Sequence, residues 1–206
     1  GDGIMTKGNR TLSNHGDMEI IGNQSPRYQY SINMSLNWNG IGLSMLWQGV
    51  GKRDWYPWTE SGFFWGKWNR AYNSLMKTQT GDNVVRIDKS TDNWRVTNMD
   101  KNPYWTRMVS LAANRNDGPL TWENDHYLQD ASYIRLKNIT LGYTIPINKR
   151  ILEKVRVYVS GENLAYWSPL KRYSKTVDPE VATTSATNDC LYPYSRTFSV
   201  GVDITF

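Results

Sequence analysis

Aromatic side chains that can stack on a ligand are concentrated in residues 52–130, a stretch with no sustained strand pattern. The face of an indole ring packs on the apolar face of a sugar ring, and Trp and Tyr are frequent anchors at protein interfaces. A connection of this length is normally functional or structured in its own right. It contains seven of the ten tryptophans, namely Trp55, Trp58, Trp65, Trp68, Trp94, Trp105 and Trp122.

The candidates for ligand contact are the aromatic residues that most closely follow a strand predicted to end at residue 50. A short helix within residues 60–76 would bring several of them together at i, i+3 or i+4 spacing. Packing of the loop against itself or against the rim of the fold is the alternative interpretation of each residue, and contact with a partner protein is a third. The candidates are Trp55, Tyr56, Trp58, Trp65 and Trp68.

No other chemistry is indicated by the sequence. His15 and His126 lack the paired spacing of metal ligands, and no nucleophile elbow, P-loop or dinucleotide-binding motif occurs. The single Cys190 excludes an internal disulfide. Gly1-Asp2-Gly3 matches the end of a calcium loop whose other ligands would lie upstream, and a plain turn is the alternative. We therefore predict no enzyme, no cofactor and no metal site.

Composition excludes two further classes of protein. The 206 residues have a mean hydropathy of −0.64, and no run approaches the roughly 18 apolar residues of a membrane-spanning helix. The net charge of +5 comes from scattered Lys and Arg, whereas nucleic-acid binding requires a clustered basic face. A β-barrel remains compatible, because only alternate residues of its strands face lipid. The opening residues resemble the middle of a longer sequence, so we expect a fragment.

The clearest element is a hairpin over residues 28–50. Asn39-Gly40 favours a two-residue type I′ turn, in which both central residues have φ > 0. Such a turn places the apolar residues of both arms on the same side of the sheet. The predicted pairs are Trp38 with Ile41, Leu36 with Leu43, Met34 with Met45 and Ile32 with Trp47.

The other side of this hairpin carries Ser, Asn, Gln and Gly with almost no charge. Each arm has about the ten residues that a tilted strand needs to cross a bilayer. We assign Tyr30, Trp38 and Trp47 to the lipid interface. Apolar residues outside, neutral polar residues inside and aromatic residues at the rims are typical of a transmembrane β-barrel. An ordinary half-buried hairpin of a soluble sandwich is the alternative.

About five strands are predicted in all, at residues 28–38, 41–50, 131–145, 155–167 and 196–206. The third changes phase at Lys137-Asn138, which indicates either a bulge or a strand whose upper half rises above the lipid. A short connection at 146–154 is predicted as one helical turn. Long loops at 1–26, 52–130 and 168–194 alternate with short turns, as the extracellular loops and periplasmic turns of outer-membrane barrels do.

The last strand alternates without interruption up to the carboxyl terminus, where soluble domains usually fray. Outer-membrane barrels end in this way, because their assembly machinery recognises a last strand with a terminal aromatic residue. The residues that match this assembly signal are Ser199, Gly201, Ile204 and Phe206.

On these residues the chain resembles the SusC/RagA-like branch of the TonB-dependent outer-membrane transporters. The resemblance covers nearly the whole chain and corresponds to about the last fifth of such a transporter. Besides the closing strand, the matching stretches are Ile21-Gly22-Asn23, Pro26-Arg27-Tyr28, Trp47-Gln48-Gly49-Val50-Gly51, residues 127–143, Ser160-Gly161-Glu162-Asn163-Leu164 and Asp178-Pro179-Glu180.

The resemblance implies an all-β fold, in which this chain is the C-terminal part of an antiparallel transmembrane barrel of about 22 strands. It further implies a Gram-negative outer membrane, import of oligosaccharides or peptides, a SusD-like lipoprotein lid and energy from TonB. The plug domain, the TonB box and the earlier strands would lie outside this chain. Arg135 and Lys137 would face the lumen or the plug, with a plug salt bridge as the expected role.

Two other functions remain as alternatives. One is a soluble all-β carbohydrate-binding module whose tryptophans line the sugar site. The other is a passive porin-like barrel, for which the aromatic loop at 52–130 is too long. Purification without detergent separates the soluble module from either barrel.

Overall fold

The structure, a computed structural model, describes residues 6–56, 81–88, 95–105, 123–149, 152–175, 177–182 and 193–206. Regular structure in these ranges consists of strands and of three short 3-10 turns, at Gly81–Asn83, Met99–Lys101 and Pro169–Arg172. The predicted all-β class is therefore confirmed. Within the described ranges, no helix has the length and apolar character required to span a bilayer.

Nine strands lie in the described residues. In chain order they are β1 (Gln29–Trp38), β2 (Ile41–Val50), β3 (Asp54–Trp55), β4 (Ile87–Asp88), β5 (Arg95–Val96), β6 (Gln129–Asp130), β7 (Tyr133–Lys149), β8 (Leu152–Trp167) and β9 (Thr197–Thr205). The main sheet has the order β1-β2-β7-β8-β9 and is antiparallel throughout. Two short ladders, β3 with β6 and β4 with β5, complete the set.

The β1–β2 hairpin has the predicted turn and register. Asn39 has φ 47° and Gly40 has φ 82°, as the two central positions of a type I′ turn require. Trp38 pairs with Ile41, and the ladder continues without a shift to Gln29 and Val50. The turn chemistry and the alternating pattern thus specify the same pairing.

A bulge interrupts β7 at Lys137. Leu46 pairs with Asn138 whereas Trp47 pairs with Leu136, so Lys137 is the extra residue on that strand. The β7–β8 ladder shifts at the same place, where it passes from Leu136 to Asn138. Of the two explanations for the phase change in this strand, the bulge is confirmed.

Residues 146–149 and 152–154 are extended and not helical, so the helical turn predicted for this connection was wrong for them. Pro146 pairs with Lys154 and Lys149 pairs with Leu152, which continues the two strands almost to their connection. Pro146, which lacks an N–H donor, is tolerated there because the β2–β7 ladder ends at Tyr143 and leaves this part of β7 paired on one side only.

The main sheet has one apolar face and one polar face. A cross-strand row on the apolar face runs through Leu36, Leu43, Leu141, Val159 and Val200. The adjacent row on the polar face carries a hydroxyl group on every strand: Ser35, Ser44, Thr140, Ser160 and Ser199. In these two rows, all five strands therefore place apolar residues on the same face of the sheet and polar residues on the other face.

The buried core lies at one end of this sheet. We call the end near Gln29, Val50, Tyr133 and Trp167 the loop end, because the long connections meet there, and the opposite end the turn end. Two buried clusters occupy the loop end. The first contains Trp55, Ala131, Leu170, Val177 and Ala182, and the second contains Tyr56, Trp105 and Tyr127.

The Tyr30 ring of β1 packs closely on Gly49 of β2 at the loop end. Substitution of this glycine is therefore predicted to lower the stability of the protein. A Cβ at Gly49 would overlap the Tyr30 ring and lie 2.6 Å from the Tyr133 carbonyl oxygen, which is backbone. Gly49→Ala is expected to destabilise the protein by about 1–3 kcal/mol, as overpacking does. The measurement is the thermal midpoint of the purified full-length protein.

Gly42→Ala on the same strand is the matched control. Its Cβ would meet only the movable side-chain oxygen of Asn37, at 3.0 Å. Equal loss of stability in the two variants would contradict the proposed contact between Tyr30 and Gly49.

Candidate functional site

The segments that meet at the loop end pack into one layer, which we call the loop platform: residues 51–56, residues 127–135, and residues 168–175 with 177–182. β2 continues beyond Val50 as β3, and β3 pairs with β6 immediately before β7 begins. The Ala131 N–H donates to the Arg53 carbonyl oxygen at 2.8 Å, which joins the first two segments. The third segment follows β8 and lies against them.

An ionic network holds the third segment against β7. The Arg135 and Asp178 side chains pair, and each is 1 % exposed. Arg135 Nε also lies 2.9 Å from Glu180 Oε2, and Lys137 Nζ lies 2.7 Å from Glu180 Oε1. The Asp178 carboxylate accepts hydrogen bonds from the backbone N–H groups of Glu180 at 3.0 Å and Tyr194 at 3.2 Å. Each buried charge therefore has an opposite charge or a donor beside it, as buried charges require.

The partners of Arg135 and Lys137 differ from those expected. The sequence resemblance implied a salt bridge with a plug domain, but the structure supplies both carboxylates, Asp178 and Glu180, from this chain. Residues two apart on a strand lie on the same face, which is why Arg135 and Lys137 can both reach the Glu180 carboxylate.

Arg53 makes a second link to the same segment. Its guanidinium donates from Nη2 to the carbonyl oxygen of Pro179 at 2.5 Å and to that of Ala182. Burial lowers the pKa of this guanidinium, and the neighbouring Tyr133 and Glu180 oppose the change. An arginine remains charged even so. Two carbonyl oxygens of the loop are thus satisfied by a permanent cation.

Cations and aromatic rings alternate through the network. Lys171 Nζ lies 3.7 Å from the centre of the Tyr166 ring, and Arg135 Cζ lies 4.7 Å from the same centre. Arg135 Cζ is also 5.3 Å from the centre of the Tyr194 ring, and Lys137 Nζ is 4.6 Å from it. Contacts of this kind contribute about 0.5–2 kcal/mol each. The stack adds attraction between β8, β7 and the residues before β9.

The second buried cluster is an assembly of stacked rings. Tyr104 and Tyr173 stack with centroids 3.5 Å apart, and Trp105 and Tyr127 stack at 5.7 Å. His126 stacks on Tyr104 at 5.1 Å, and its Nε2 lies 3.0 Å from the Tyr104 carbonyl oxygen. Burial raises the pKa of the Tyr104 hydroxyl.

Two of the predicted ligand aromatics lie inside these clusters. Trp55 is 4 % exposed and packs with Ala131 and Leu170, and Tyr56 is 2 % exposed and packs with Trp105. Burial raises the pKa of the Tyr56 hydroxyl, which accepts a hydrogen bond from Asn124 Nδ2 at 3.1 Å. These positions favour the packing interpretation, while a ligand role stays a prediction. The other candidates, Trp58, Trp65 and Trp68, and the helix predicted at 60–76 lie outside the described residues.

The predicted lipid-interface aromatics lie on the apolar face. Tyr30 is at the loop end and crosses Gly49, with its hydroxyl 3.5 Å from the Tyr133 carbonyl oxygen. Trp38 is at the turn end and 71 % exposed. The Trp47 ring stacks on Trp167, with centroids 5.9 Å apart. An interface role for these residues stays a prediction.

The residues of the predicted assembly signal lie on β9 or at its end. Ile204 and Phe206 are exposed on the apolar face. Ser199 and Gly201 are on the polar face, where the Tyr158 ring lies over Gly201. Recognition by the assembly machinery stays a prediction.

Among the described residues, no group of three or more His, Cys, Asp or Glu side chains is placed to hold a metal ion. Asp2, the residue of the calcium-like loop, lies outside those residues.

Sequence reasoning missed the partners that build the platform. Tyr104, Tyr173 and Arg53 had no periodic pattern, and their contacts join segments far apart in the chain. The resemblance identified Asp178-Pro179-Glu180 as a matching stretch, but it did not identify the cations that this stretch binds. The sequence did contain a signal for this ionic network. Two cations, Arg135 and Lys137, lie beside the phase change in β7, and two carboxylates, Asp178 and Glu180, flank a proline in a later loop.

The buried pair predicts a large effect of removing one charge. Arg135→Gln leaves Asp178 buried without its cation, which costs roughly 3–5 kcal/mol in comparable buried pairs. We expect a lower thermal midpoint of the full-length protein and faster proteolytic cleavage within residues 168–182. Lys137→Gln is the control, because its ammonium is partly exposed to solvent whereas the Arg135 guanidinium is buried. The double variant Arg135→Gln/Asp178→Asn should recover part of the loss, and failure of Arg135→Gln to exceed Lys137→Gln would contradict the network.

Comparison with known proteins identifies sequence relatives along the whole chain. No family model matches the sequence. TonB-dependent receptor P26 of Formosa agariphila is 24% identical over 220 aligned residues, which cover 100% of this chain and 19% of the receptor. TonB-dependent receptor P3 of the same organism is 35% identical over 89 residues, covering 39% of this chain and 9% of the receptor. The chain thus spans about a fifth of the length of the first of these relatives.

Solved structures with the same fold agree with the sequence relatives. The RagAB peptide importer in its closed-closed state matches with a TM-score of 0.56 and 17% identity, over 91% of this chain and 18% of that one. A structure of the RagAB peptide transporter matches with a TM-score of 0.57 and 18% identity over the same shares. The named relatives are receptors and importers, not enzymes. The resemblance predicted from the sequence is therefore confirmed, and the strands of this chain have the fold of a segment of the RagAB structures.

Proposed function

We propose that this chain forms part of the wall of a TonB-dependent importer in the outer membrane of a Gram-negative cell. The importer takes up oligosaccharides or peptides and works with a SusD-like surface lipoprotein. The polar face lines the interior of the barrel, and the apolar face contacts lipid. The loop platform lies on the extracellular side.

The observation that carries this proposal is a continuous, exposed apolar surface on one side of five strands. Its residues include Leu36 at 66% exposure, Val200 at 77% and Phe198 at 75%. A soluble monomer rarely exposes an apolar patch that extends across an entire sheet. In a bilayer the same surface is satisfied by lipid, and the paired strands satisfy their own backbone groups.

The dimensions of this surface suit a bilayer. Tyr30 and Trp38 lie at its two ends on β1, and they are roughly 27 Å apart along an extended strand. A tilt near 40° reduces this to about 20 Å, close to the roughly 25 Å apolar band of outer-membrane barrels. Trp167 at the loop end and Tyr143 at the turn end are also exposed on this face. Aromatic residues thus border the apolar surface on both sides.

The soluble carbohydrate-binding module fits this structure poorly. A sandwich would bury the apolar face under a second sheet, but Ile32 is 50% and Met34 49% exposed. In the described residues, the other ladders are pairs of two-residue strands, which cannot cover a sheet of this size. Trp55, which such a module would direct to a sugar, is buried.

Three features support the transport partners. The curated relatives are named TonB-dependent receptors, which supports energy coupling through TonB. The neighbouring structures are of a RagAB importer, which supports a two-component system with a SusD-like partner. The packed loop platform of this chain provides an edge at the mouth against which a lid can close. The remaining barrel and the plug would belong to the same transporter, which needs no cofactor of its own.

Charge substitution on the two faces tests the membrane assignment. Met34→Arg places a guanidinium at the middle of the apolar face and should destabilise the barrel by about 2–4 kcal/mol, the cost of such a charge at the bilayer midplane. Ser35→Arg on the polar face of the same strand should have a much smaller effect. The measurement is the heat-modifiable, folded fraction of the full-length protein in outer membranes. Equal folded fractions for the two variants would contradict the assignment.

Growth of a deletion strain tests import and identifies the substrate. A strain lacking the gene should fail to grow on one class of oligosaccharide or peptide as sole nutrient and grow normally on the corresponding monomers. Complementation with the full-length gene is the control. Normal growth on a broad panel of both classes would contradict import.

A further inference from the structure

A cluster of cations and tyrosine rings lies at the loop end of the polar face. Ser31 pairs with Gln48, Gln48 with Arg135, and Arg135 with Tyr166, so these positions form one cross-strand row. The row belongs to the polar face, because Ser31 lies two residues from Asn33 on the same strand. We call this set of residues the cationic cluster, and its members are Arg135, Lys137, Tyr166, Lys171, Tyr194 and Arg196.

Contacts with the rings place loop residues on the same side of the sheet. The Lys171 ammonium lies 3.7 Å from the centre of the Tyr166 ring and donates to the Tyr166 carbonyl oxygen at 2.6 Å. The centre of the Tyr194 ring lies 5.3 Å from Arg135 Cζ and 4.6 Å from Lys137 Nζ, and Tyr194 is 46% exposed. Both loop residues therefore reach the polar face beside the ionic network, and part of Tyr194 is open to a ligand.

The carboxylates beside this cluster do not neutralise it. Asp178 and Glu180 are already paired with the cations of β7. In the described part of the chain, no carboxylate oxygen lies within 4.0 Å of the Lys171 ammonium or the Arg196 guanidinium. The ammonium of Lys171 has two donors besides the one that binds the Tyr166 carbonyl oxygen. The cluster thus retains positive charge and donors for an anion.

Other cations of the cluster repel the charge of Lys171. Burial lowers the pKa of its ammonium, Arg196 and Arg135 lower it further, and Asp178 opposes the change. Arg196 is therefore close enough for its charge to act on Lys171, although it comes from the segment before β9. An anion bound beside these two cations would relieve the repulsion and stabilise the charged ammonium.

We propose that the cationic cluster binds carboxylate groups of the imported substrate, so that the importer selects acidic oligomers over neutral ones. Lys171 donates to a substrate carboxylate, and Arg196 adds attraction at longer range. The exposed part of Tyr194 packs on the apolar surface of the adjoining substrate unit. The inference rests on the proposed function, because it requires that the polar face line the interior and that the loop end face the outside.

The arrangement of charge along the polar face favours capture at the entrance. The next row toward the turn end carries one carboxylate, Glu162, with Asn138 and Thr197 as its cross-strand partners. The positions of the two rows after it, through Ser35 and through Asn37, hold no charged residue. A cleft lined by one sign of charge raises the local concentration of ligands of the opposite sign. An acidic oligomer is thus attracted at the mouth and then meets mainly uncharged groups, which bind it less tightly.

Uptake of matched acidic and neutral probes by cells that carry the full-length transporter tests the proposal. The first pair is an oligogalacturonate and the same oligosaccharide with its carboxylates reduced to alcohols. The second pair is an oligoglutamate and the corresponding oligoglutamine. In one of these pairs, the acidic member should enter roughly tenfold faster than the neutral member, and added salt should reduce this advantage. The pair that shows the preference identifies the substrate as oligosaccharide or peptide, whereas absence of the preference in both pairs would overturn the proposal.

Charge variants at Lys171 separate binding from folding. Lys171→Gln should lower uptake of the acidic probe roughly three- to tenfold, between the effects of an exposed ion pair and of a charge-assisted hydrogen bond. It should leave uptake of the neutral probe unchanged, and Lys171→Arg should retain most of the preference. Arg196→Gln should act in the same direction with a smaller effect.

Arg172→Gln is the matched control, because it removes the adjacent cation of the same turn. The Arg172 guanidinium lies 5.0 Å from the centre of the Tyr173 ring, beside the second buried cluster, and its loss should change neither uptake rate. Equal losses of acidic uptake in Lys171→Gln and Arg172→Gln would overturn the proposal. An equal loss of both probes in Lys171→Gln would also overturn it, because the residue would then have a structural role only.

Failure of this inference can be distinguished from failure of the proposed function. Folding of each variant is checked by heat-modifiable mobility, and every uptake rate is compared with that of the deletion strain. A deletion strain that loses growth on neutral oligomers alone would overturn the acidic preference and leave the importer assignment intact. Normal growth of the deletion strain on the whole panel would instead contradict import, and this inference with it.

Discussion

The structure depends on a constraint of β-pairing: the register of every strand decides which side chains share a face. A shift of one residue in any strand would move its apolar side chains to the polar side. The rows through Leu36 and through Ser35 remain separate across all five strands. The Asn39-Gly40 turn sets the register of the β1–β2 pair locally. Each of the other strands is aligned with this pair through the strand next to it. The two faces, and with them the proposed lumen and lipid surfaces, follow from this pairing.

The bulge at Lys137 marks the level at which the polar face of β7 begins to support the loop platform, while the apolar face continues past it through Leu136 and Ile134. Below it, Ile139 and Leu141 continue the apolar face toward the turn end. At and above it, Lys137 and Arg135 reach the carboxylates of Glu180 and Asp178. The partner strand adjusts at the same level, where Asn163 takes a positive φ of 52°. On the loop side of the extra residue, the strand thus supports the loops with its polar face, while its apolar face continues to the Tyr30 row.

The sequence was sufficient to predict the features that repeat along each strand. It was insufficient to predict contacts between residues that are far apart in the chain. The hairpin pairs, the five-stranded sheet and the bulge each leave a period-two signal or a break in one. The platform leaves none, because Arg53, Arg135 and Asp178 come together only after three separate segments have folded. The helical turn predicted at 146–154 was wrong because the prediction rested on local composition. There the β7–β8 ladder, which composition does not show, continues through Pro146.

The position of the ionic network also follows from the register. Between the Tyr30 row and the Trp38 row, the apolar face carries no charged side chain, and a charge there would be costly in a bilayer. The charges of the network begin at the bulge and belong to the opposite face and the loops, where neighbouring carboxylates and backbone donors satisfy them. Such a network adds little net stability relative to a well-packed apolar core, but it tolerates few alternative geometries. A loop held by Arg53 and Arg135 at once, and packed through Leu170, Val177 and Ala182 against Trp55, can therefore keep one shape at the loop end of the sheet.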